Sequence, residues 1–312
     1  MSPVSPVGPV VAVVGATATG KSDLAVELAL ALRGEVVNAD SMQLYRGMDV
    51  GTAKVTQAER RGVPHHLLDV WPVTRAAAVA EYQHMVRDTF DDVQARGGVP
   101  VLVGGSGLYV RAALDDLRFP GTDPVVRARW EAEGERVGAA ALHERLRQVD
   151  PVAADAILAS NTRRVVRALE VVELTGLPFS ASMPPAGVSA RLRPAVVVGL
   201  RRERPDVDER IGRRVARMWR DGLVAEVHGL LGLGLEQGVT ASRAVGYAQV
   251  VDLLHGRCSE AEAVTRTVAA TRRLVRRQES WFRADPTTTW FDAAAPDTLG
   301  AVLAHVRARM GT

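Results

Sequence analysis

The chain is predicted to be an α/β protein: a P-loop NTPase-like parallel sheet flanked by helices, interrupted by a helical insertion. Three observations point there. Residues 10–32 read as a buried strand, a glycine loop and a helix. Short apolar β-branched runs recur at 34–39, 99–103 and 195–200, with helix-like segments between them, which is the pattern of a parallel sheet. Residues 117–193 lose that alternation and become helical and rich in Arg, Glu and Ala.

The first unit fixes the chemistry. Val10, Val11, Ala12, Val13 and Val14 form a short buried strand, and Gly15, Ala16, Thr17, Ala18, Thr19, Gly20, Lys21 and Ser22 fit G-x-x-x-x-G-K-[ST]. Leu24, Leu28, Ala31 and Leu32 continue at helical spacing. Gly15 and Gly20 let the backbone curl so that successive N–H groups point at an anion, and the helix N-terminus adds partial positive charge. Lys21 supplies a mobile cation, and the Ser22 hydroxyl is placed to ligand a Mg²⁺ sharing the same phosphates. The loop is of the nucleotide-binding kind that takes ATP or another di- or triphosphate.

The second strand ends at Asp40, followed by Ser41, Met42, Gln43, Leu44 and Tyr45. Ligands of parallel sheets sit at the carboxyl edge of the strands, so Asp40 is expected beside the phosphate loop, on the strand read as its neighbour. A turn or N-cap aspartate is the structural alternative. Residues 47–54 form a polar glycine-bearing loop ending in Lys54, and His65 and His66 are read as structural. Residues 79–95 read as an amphipathic helix. The third strand, 99–103, ends in Gly104 and Gly105 where most P-loop NTPases carry a Mg²⁺-holding aspartate, which disfavours a switch or motor. Ser106 is either a substrate-facing hydroxyl or a helix cap.

In the insertion, Asp123-Pro124, Asp150-Pro151 and Asn161-Thr162 are helix-start signals. Pro184, Pro185 and Gly187 break residues 178–194 into a loop or linker, and the sheet resumes at 195–200. The organisation expected is a disordered tail 1–9, a P-loop core of 10–116 and 194–312, and an insertion of 117–193. Residues 201–283 are helical and basic, with 16 Arg against 11 Asp and Glu. Arg272, Arg273, Arg276 and Arg277 lie along one helical stripe suited to a phosphate backbone, or simply to solvent. Trp281 and Phe282 read as core residues, and 292–312 as a final surface helix.

Composition narrows the class. A single cysteine, Cys258, excludes internal disulfides and a cysteine-clustered zinc site. No apolar run approaches the ~20 residues of a membrane span, and the N-terminus carries no signal region, so a cytoplasmic protein without membrane contact is expected. Of 39 Lys and Arg, lysine stands only at 21 and 54. A lysine retained in so arginine-rich a chain is more apt to be needed as lysine, because a compact ammonium and a planar guanidinium are not interchangeable.

Eight motifs carry a family resemblance. They are residues 15–22, 38–45, 47–54, 64–69, 103–109, 167–171, 243–247 and 276–282. In this order, colinear over 10–291, they resemble bacterial tRNA dimethylallyltransferase, of the IPP transferase family. The resemblance implies transfer of a dimethylallyl group from its diphosphate to N6 of the adenosine immediately 3′ of the anticodon, releasing diphosphate. It implies Asp40 as general base and the P-loop as the holder of the prenyl diphosphate. It implies tRNA contacts at Asp40, Ser41, Met42 and Gln43, at Ser106 and Arg129, at Arg163, Arg164, Val165, Val166 and Arg167, and at Arg243, Ala244, Val245, Gly246, Tyr247 and Ala248. The insertion would grip the anticodon stem-loop, with Mg²⁺ as cofactor and a monomer expected. This chain departs from the family in Ala16 for proline, Ser106 for threonine and Ala248 for a polar residue.

The chemistry agrees with that implication. Adenine N6 is a poor nucleophile, but as its bond to the allyl carbon forms its proton becomes acidic enough for a carboxylate to remove. Charge growing on the leaving diphosphate meets loop amides and Lys21, and an adenine leaves its stack most cheaply in a single-stranded loop. Lys54 and the i, i+4 pair Arg210 and Arg214 are candidates for contact with diphosphate or RNA. Two rivals remain: a small-molecule kinase using the loop for ATP, and an RNA-binding module whose P-loop is regulatory.

Overall fold

The computed structural model describes residues 8–182 and 190–311. Most of the expected tail and the proline-broken centre of the 178–194 linker lie outside the described residues. The chain divides into two compact units, Met1–Asp115 with Arg191–Thr312, and Asp116–Ala190.

The first unit runs β1 (Val10–Gly15), α1 (Lys21–Leu32), β2 (Gly34–Asn38), β3 (His65–His66), α2 (Val79–Ala95), β4 (Val99–Gly104) and α3 (Gly107–Leu114). The second holds α4 (Pro124–Val137), α5 (Ala139–Val149), α6 (Pro151–Ala156), α7 (Thr162–Thr175) and α8 (Phe179–Ser182). The first resumes with β5 (Ala195–Arg201), α9 (Arg204–Arg220), α10 (Leu223–Gly232), α11 (Tyr247–Leu254), α12 (Glu260–Arg283), β6 (Thr289–Asp292) and α13 (Thr298–Met310).

The six strands are parallel and ordered β3-β2-β4-β1-β5-β6. β1 lies between β4 and β5, and all six of its residues are buried, as its unbroken apolar run requires. The order corrects one expectation: β2, which leads into Asp40, is separated from β1 by β4. Asp40 reaches the phosphate loop because carboxyl ends share an edge, not because the strands are neighbours. Sequence reading passed over β3, only two residues long, and β6. As expected of structural histidines, His66 Nε2 meets Glu35 at 2.5 Å and His65 Nδ1 meets the Val63 carbonyl.

Under one face of the sheet, Leu24, Leu28 and Ala29 of α1 pack with Val11, Val13, Val36, Val101 and Val198. Among the described residues no helix is long and apolar enough to cross a membrane.

In the second unit each expected start signal acts as one. Asp123 caps α4 through the N–H groups of Val125 and Val126, Asp150 caps α6, and Asn161 caps α7. Leu142, Leu146, Ile157, Val165, Val166 and Leu169 form its core. Beside that core Glu170 is buried and accepts Thr122 Oγ1–H, the Asp123 N–H, and guanidinium groups of Arg127 and Arg167. Burial opposes its ionisation, but the Thr122, Arg167 and Arg127 bonds outweigh it and hold Glu170 down at about 2.

Candidate active site

A cavity of about 900 Å³ opens at the carboxyl edge of the sheet. Its floor is the phosphate loop, with Thr17, Ala18, Gly20, Lys21 and Ser22. Gly15, Ala18 and Gly20 all have positive φ, and a side chain at Gly15 would meet the Leu200 carbonyl at 2.5 Å. With this curl α1 starts at Lys21, so the N–H groups of its first turn face the cavity floor.

Lys21 is half-buried at this floor. Its Nζ donates to the Ala16 carbonyl at 2.5 Å, and among the described residues no carboxylate lies within ion-pair distance. Burial pulls its pKa down to about 8, Asp40 opposing and Arg214 reinforcing that shift. A desolvated ammonium with one carbonyl for a partner is poised for an anion.

Asp40 and Gln43 form the facing wall. Asn38 fixes the Asp40 backbone from both sides: its Oδ1 accepts the Asp40 N–H at 2.8 Å, and its Nδ2 donates to the Asp40 carbonyl at 3.0 Å. One Asp40 carboxylate oxygen accepts the Met42 N–H at 2.9 Å, an Asx turn. The turn and the site therefore share one residue. Ser106, the residue before α3, makes no side-chain cap; its Oγ accepts the Ser41 N–H and meets Ser41 Oγ, both at 3.2 Å.

Helix α9 closes the cavity with Arg210, Arg213, Arg214, Arg217 and Arg220. Arg210 Nε donates to the Ala18 carbonyl at 2.7 Å and Arg214 Nη2 to the Thr52 carbonyl at 3.0 Å. Burial lowers the Arg214 pKa, with Asp40 opposing. The rim arginines 213, 217 and 220 were not singled out in the sequence, although i, i+3/i+4 spacing from Arg210 places them on the same face.

A phosphate loop, a carboxylate and half-buried cations thus face one cavity whose β4 wall ends in Gly104 instead of an aspartate. The family model for IPP transferase matches residues 43–285. The chain belongs to this family. It is 60% identical over 302 residues to the tRNA dimethylallyltransferase of Thermobifida fusca, covering 95% of this chain and 94% of that one. It is 60% identical over 300 residues to that of Salinispora tropica, covering 96% and 93%. Among solved structures, the tRNA isopentenylpyrophosphate transferase of Bacillus halodurans matches with a TM-score of 0.71 and 38% identity over 97% of both chains. A eukaryotic dimethylallyltransferase acting on tRNA, at 22% identity and a TM-score of 0.79 over 95% of this chain and 77% of that one, shares the fold.

Not every residue singled out in this IPP transferase chain is free to meet a substrate. Lys54 is corrected: its three ammonium donors go to the Tyr45 carbonyl at 3.1 Å, Asp49 at 2.5 Å and Asp69 at 2.6 Å, leaving none for phosphate. Val165 and Val166 are corrected likewise, since both side chains are in the core of the second unit. Tyr247, Ala244 and Gly246 are buried, and the Tyr247 hydroxyl donates to Glu226 at 2.6 Å. Burial, with Glu226 beside it, pushes the Tyr247 pKa up. Arg243 is exposed, and Val245 and Ala248 are half-buried.

On the second unit Arg163 and Arg164 are exposed and in no ion pair among the described residues. Arg129 pairs with Glu173, and Arg167 binds the carbonyls of Pro120 and Gly121 as well as Glu170. Arg272, Arg273, Arg276 and Arg277 all lie on the exposed face of α12, with Arg272 near Asp208. Phe282 is buried as expected, whereas Trp281 is half-exposed and lies over Gly107.

Proposed function

We propose that this chain transfers a dimethylallyl group from dimethylallyl diphosphate to N6 of the adenosine immediately 3′ of the tRNA anticodon. The observation that carries the reading is that Asp40, Lys21, Arg210 and Arg214 line a single cavity. The allyl C–O bond breaks as the N6–C bond forms, the N6 proton passes to the Asp40 carboxylate, and diphosphate leaves against the loop amides, Lys21 and Arg210. Fixed donors aimed at the leaving group favour the charge it acquires, and a base within reach of the N6 proton removes the cationic intermediate's proton.

Mg²⁺ fits this site in one way. The described residues contain no group of three or more His, Cys, Asp or Glu able to hold a metal, but the Ser22 side chain is at the cavity floor. A Mg²⁺ there would take Ser22 as its protein ligand and complete its shell from diphosphate and water, which suits an ion that dehydrates reluctantly. It would supply further charge neutralisation for the diphosphate.

Arg163, Arg164 and Arg243 are proposed to meet tRNA phosphates, and Ser41, Gln43 and Ser106 the adenosine. The reading takes the enzyme as a monomer acting in the cytoplasm, where a tRNA substrate would be met. The test is incubation with unmodified bulk tRNA and dimethylallyl diphosphate, followed by nucleoside mass spectrometry. A dimethylallyl adenosine product dependent on both substrates is expected. Phosphorylation of a small molecule by ATP without such a product would overturn the assignment.

A further inference from the structure

The segment 49–54 forms one wall of the cavity through Asp49, Val50, Thr52, Ala53 and Lys54, yet it belongs to no helix or strand. What seats it comes from α10. Glu226 accepts three consecutive backbone N–H groups, those of Asp49 at 3.0 Å, Val50 at 2.7 Å and Gly51 at 3.2 Å. Successive N–H groups on one side of a turn make an anion-binding concavity. Of the phosphate-loop amides, that of Thr17 is taken by Gln278 Oε1 at 2.8 Å; in the loop 49–51 the chain fills the concavity with a carboxylate. The Tyr247 hydroxyl donates to the same carboxylate at 2.6 Å. Gly51 lies against the Tyr247 ring so closely that a Cβ would sit 2.4 Å from a ring carbon.

The next residue is where this bears on the site. The Thr52 carbonyl accepts from Arg214 Nη2 at 3.0 Å and from Gln43 Nε2 at 3.2 Å. Both donors belong to the cavity lining, one from α9 and one from the turn after Asp40. A single carbonyl therefore rests against both side chains, and its place is set by the carboxylate bound to the N–H groups just before it.

We infer that Glu226 is a positioning residue: by filling the amide concavity of residues 49–51 it fixes the Thr52 carbonyl that aims Arg214 and Gln43 into the cavity, and so governs affinity for diphosphate without touching it. This rests on the reading of the cavity as a diphosphate site. It also accounts for the burial of Tyr247, whose hydroxyl holds Glu226 and not RNA.

The test uses the full chain with Glu226→Gln, Arg214→Ala and the double variant, measuring inorganic diphosphate binding by calorimetry, steady-state kinetics and thermal unfolding. Glutamine keeps the shape but loses the charge on which three amides converge. Glu226→Gln is expected to raise the diphosphate Kd and the KM for dimethylallyl diphosphate by about tenfold, the scale of one misplaced charge-assisted hydrogen bond, with kcat within about threefold. In the Arg214→Ala background the same change is expected to weaken diphosphate binding by less than about twofold, since the two act through one contact. A lowered Tm with parent-like diphosphate affinity would show a merely structural wall and overturn the inference, as would full additivity with Arg214→Ala. Should Glu226→Gln fail to fold, Tyr247→Phe removes one of the four bonds to the carboxylate; about two- to threefold weaker binding, again only when Arg214 is present, supports the inference and parent-like binding overturns it. If Arg214→Ala alone leaves diphosphate binding intact, the cavity reading fails first, which separates the two failures.

Discussion

Two loops at the same sheet edge each carry one of the only two lysines, and they spend them in opposite ways. In the loop 49–54, Lys54 is 4% exposed and bound by two carboxylates and a carbonyl, so its charge and all three donors are matched within the chain. In the loop 15–22, Lys21 has one carbonyl, no ion pair among the described residues and a pKa drawn down to about 8. In both places a compact ammonium meets its partners at short range, a geometry that a planar guanidinium fork does not reproduce. What the difference teaches is that a retained lysine marks a steric demand, while function shows in what the cation lacks. Lys21 lacks a counter-anion, and the bound diphosphate would be it.

The largest effect should come from Asp40, the carboxylate whose charge acts on Lys21. If Asp40 is a base and not a counter-ion, Asp40→Asn should lower kcat by roughly 10²–10⁴ and change the tRNA Kd by less than about threefold. Asparagine keeps an oxygen for the Met42 N–H and so preserves the turn. Single-turnover kinetics and tRNA binding check both parts. Partial rescue by raised Mg²⁺ would instead point to metal holding.

The lysines themselves should separate next. Lys21→Ala is expected to abolish most activity with Tm unchanged or slightly raised, since a half-buried ammonium with a single partner is partly stripped of water. Lys21→Arg should do nearly the same. Lys54→Ala is expected to lose about 1–3 kcal/mol of stability, because it unpairs a buried three-donor hub whose two carboxylates remain half-exposed and rehydrate. Chemical denaturation and turnover, measured on all three, decide it. A fully active Lys21→Arg would erase the distinction.

A gentler probe is pH. Above about 8 the free protein holds Lys21 largely neutral, whereas bound diphosphate would hold it charged. Binding then takes up a proton, so affinity is full below about pH 8 and is lost as pH rises, by up to about tenfold per unit. Diphosphate Kd from pH 7 to 9.5 checks it, and Lys21→Ala, carrying only the ligand's own titration, should lack that component.

Much of this contrast was legible in the sequence, and the part that was not has a physical cause. Strand, glycine loop and helix at 10–32 are local patterns, and so are the capping residues Asp123, Asp150 and Asn161. The sheet order is not local: β2 and β1 read as neighbours until β4 is found between them. β3 is too short to show a period. The fates of Lys54, Tyr247 and Val165 were hidden for a related reason. A motif tells which residues matter, but burial and partners decide whether a side chain faces substrate or holds the wall, and those partners are distant in the chain: Asp69 for Lys54, Glu226 and Gly51 for Tyr247.

The same rule, that a matched cation is already spent, should hold for the arginines of α7, where the expected effect is smallest. Arg163 and Arg164 are exposed and in no ion pair among the described residues, whereas Arg167 is bound to the carbonyls of Pro120 and Gly121 and to buried Glu170. Each phosphate contact contributes its share of released counterions, roughly 0.7–0.9 of log–log slope. Arg163→Ala and Arg164→Ala should each flatten the salt dependence of tRNA binding by about that amount or less, with Tm unchanged. Arg167→Ala should leave the slope alone and lower Tm, because it withdraws one of the groups that keep Glu170 ionised at about 2 in the unit's interior. Diphosphate binding should be unaffected in all three. If Arg167→Ala flattens the slope as much as Arg163→Ala, a cation can serve the fold and the RNA at once, and the rule drawn from the two lysines does not extend beyond them.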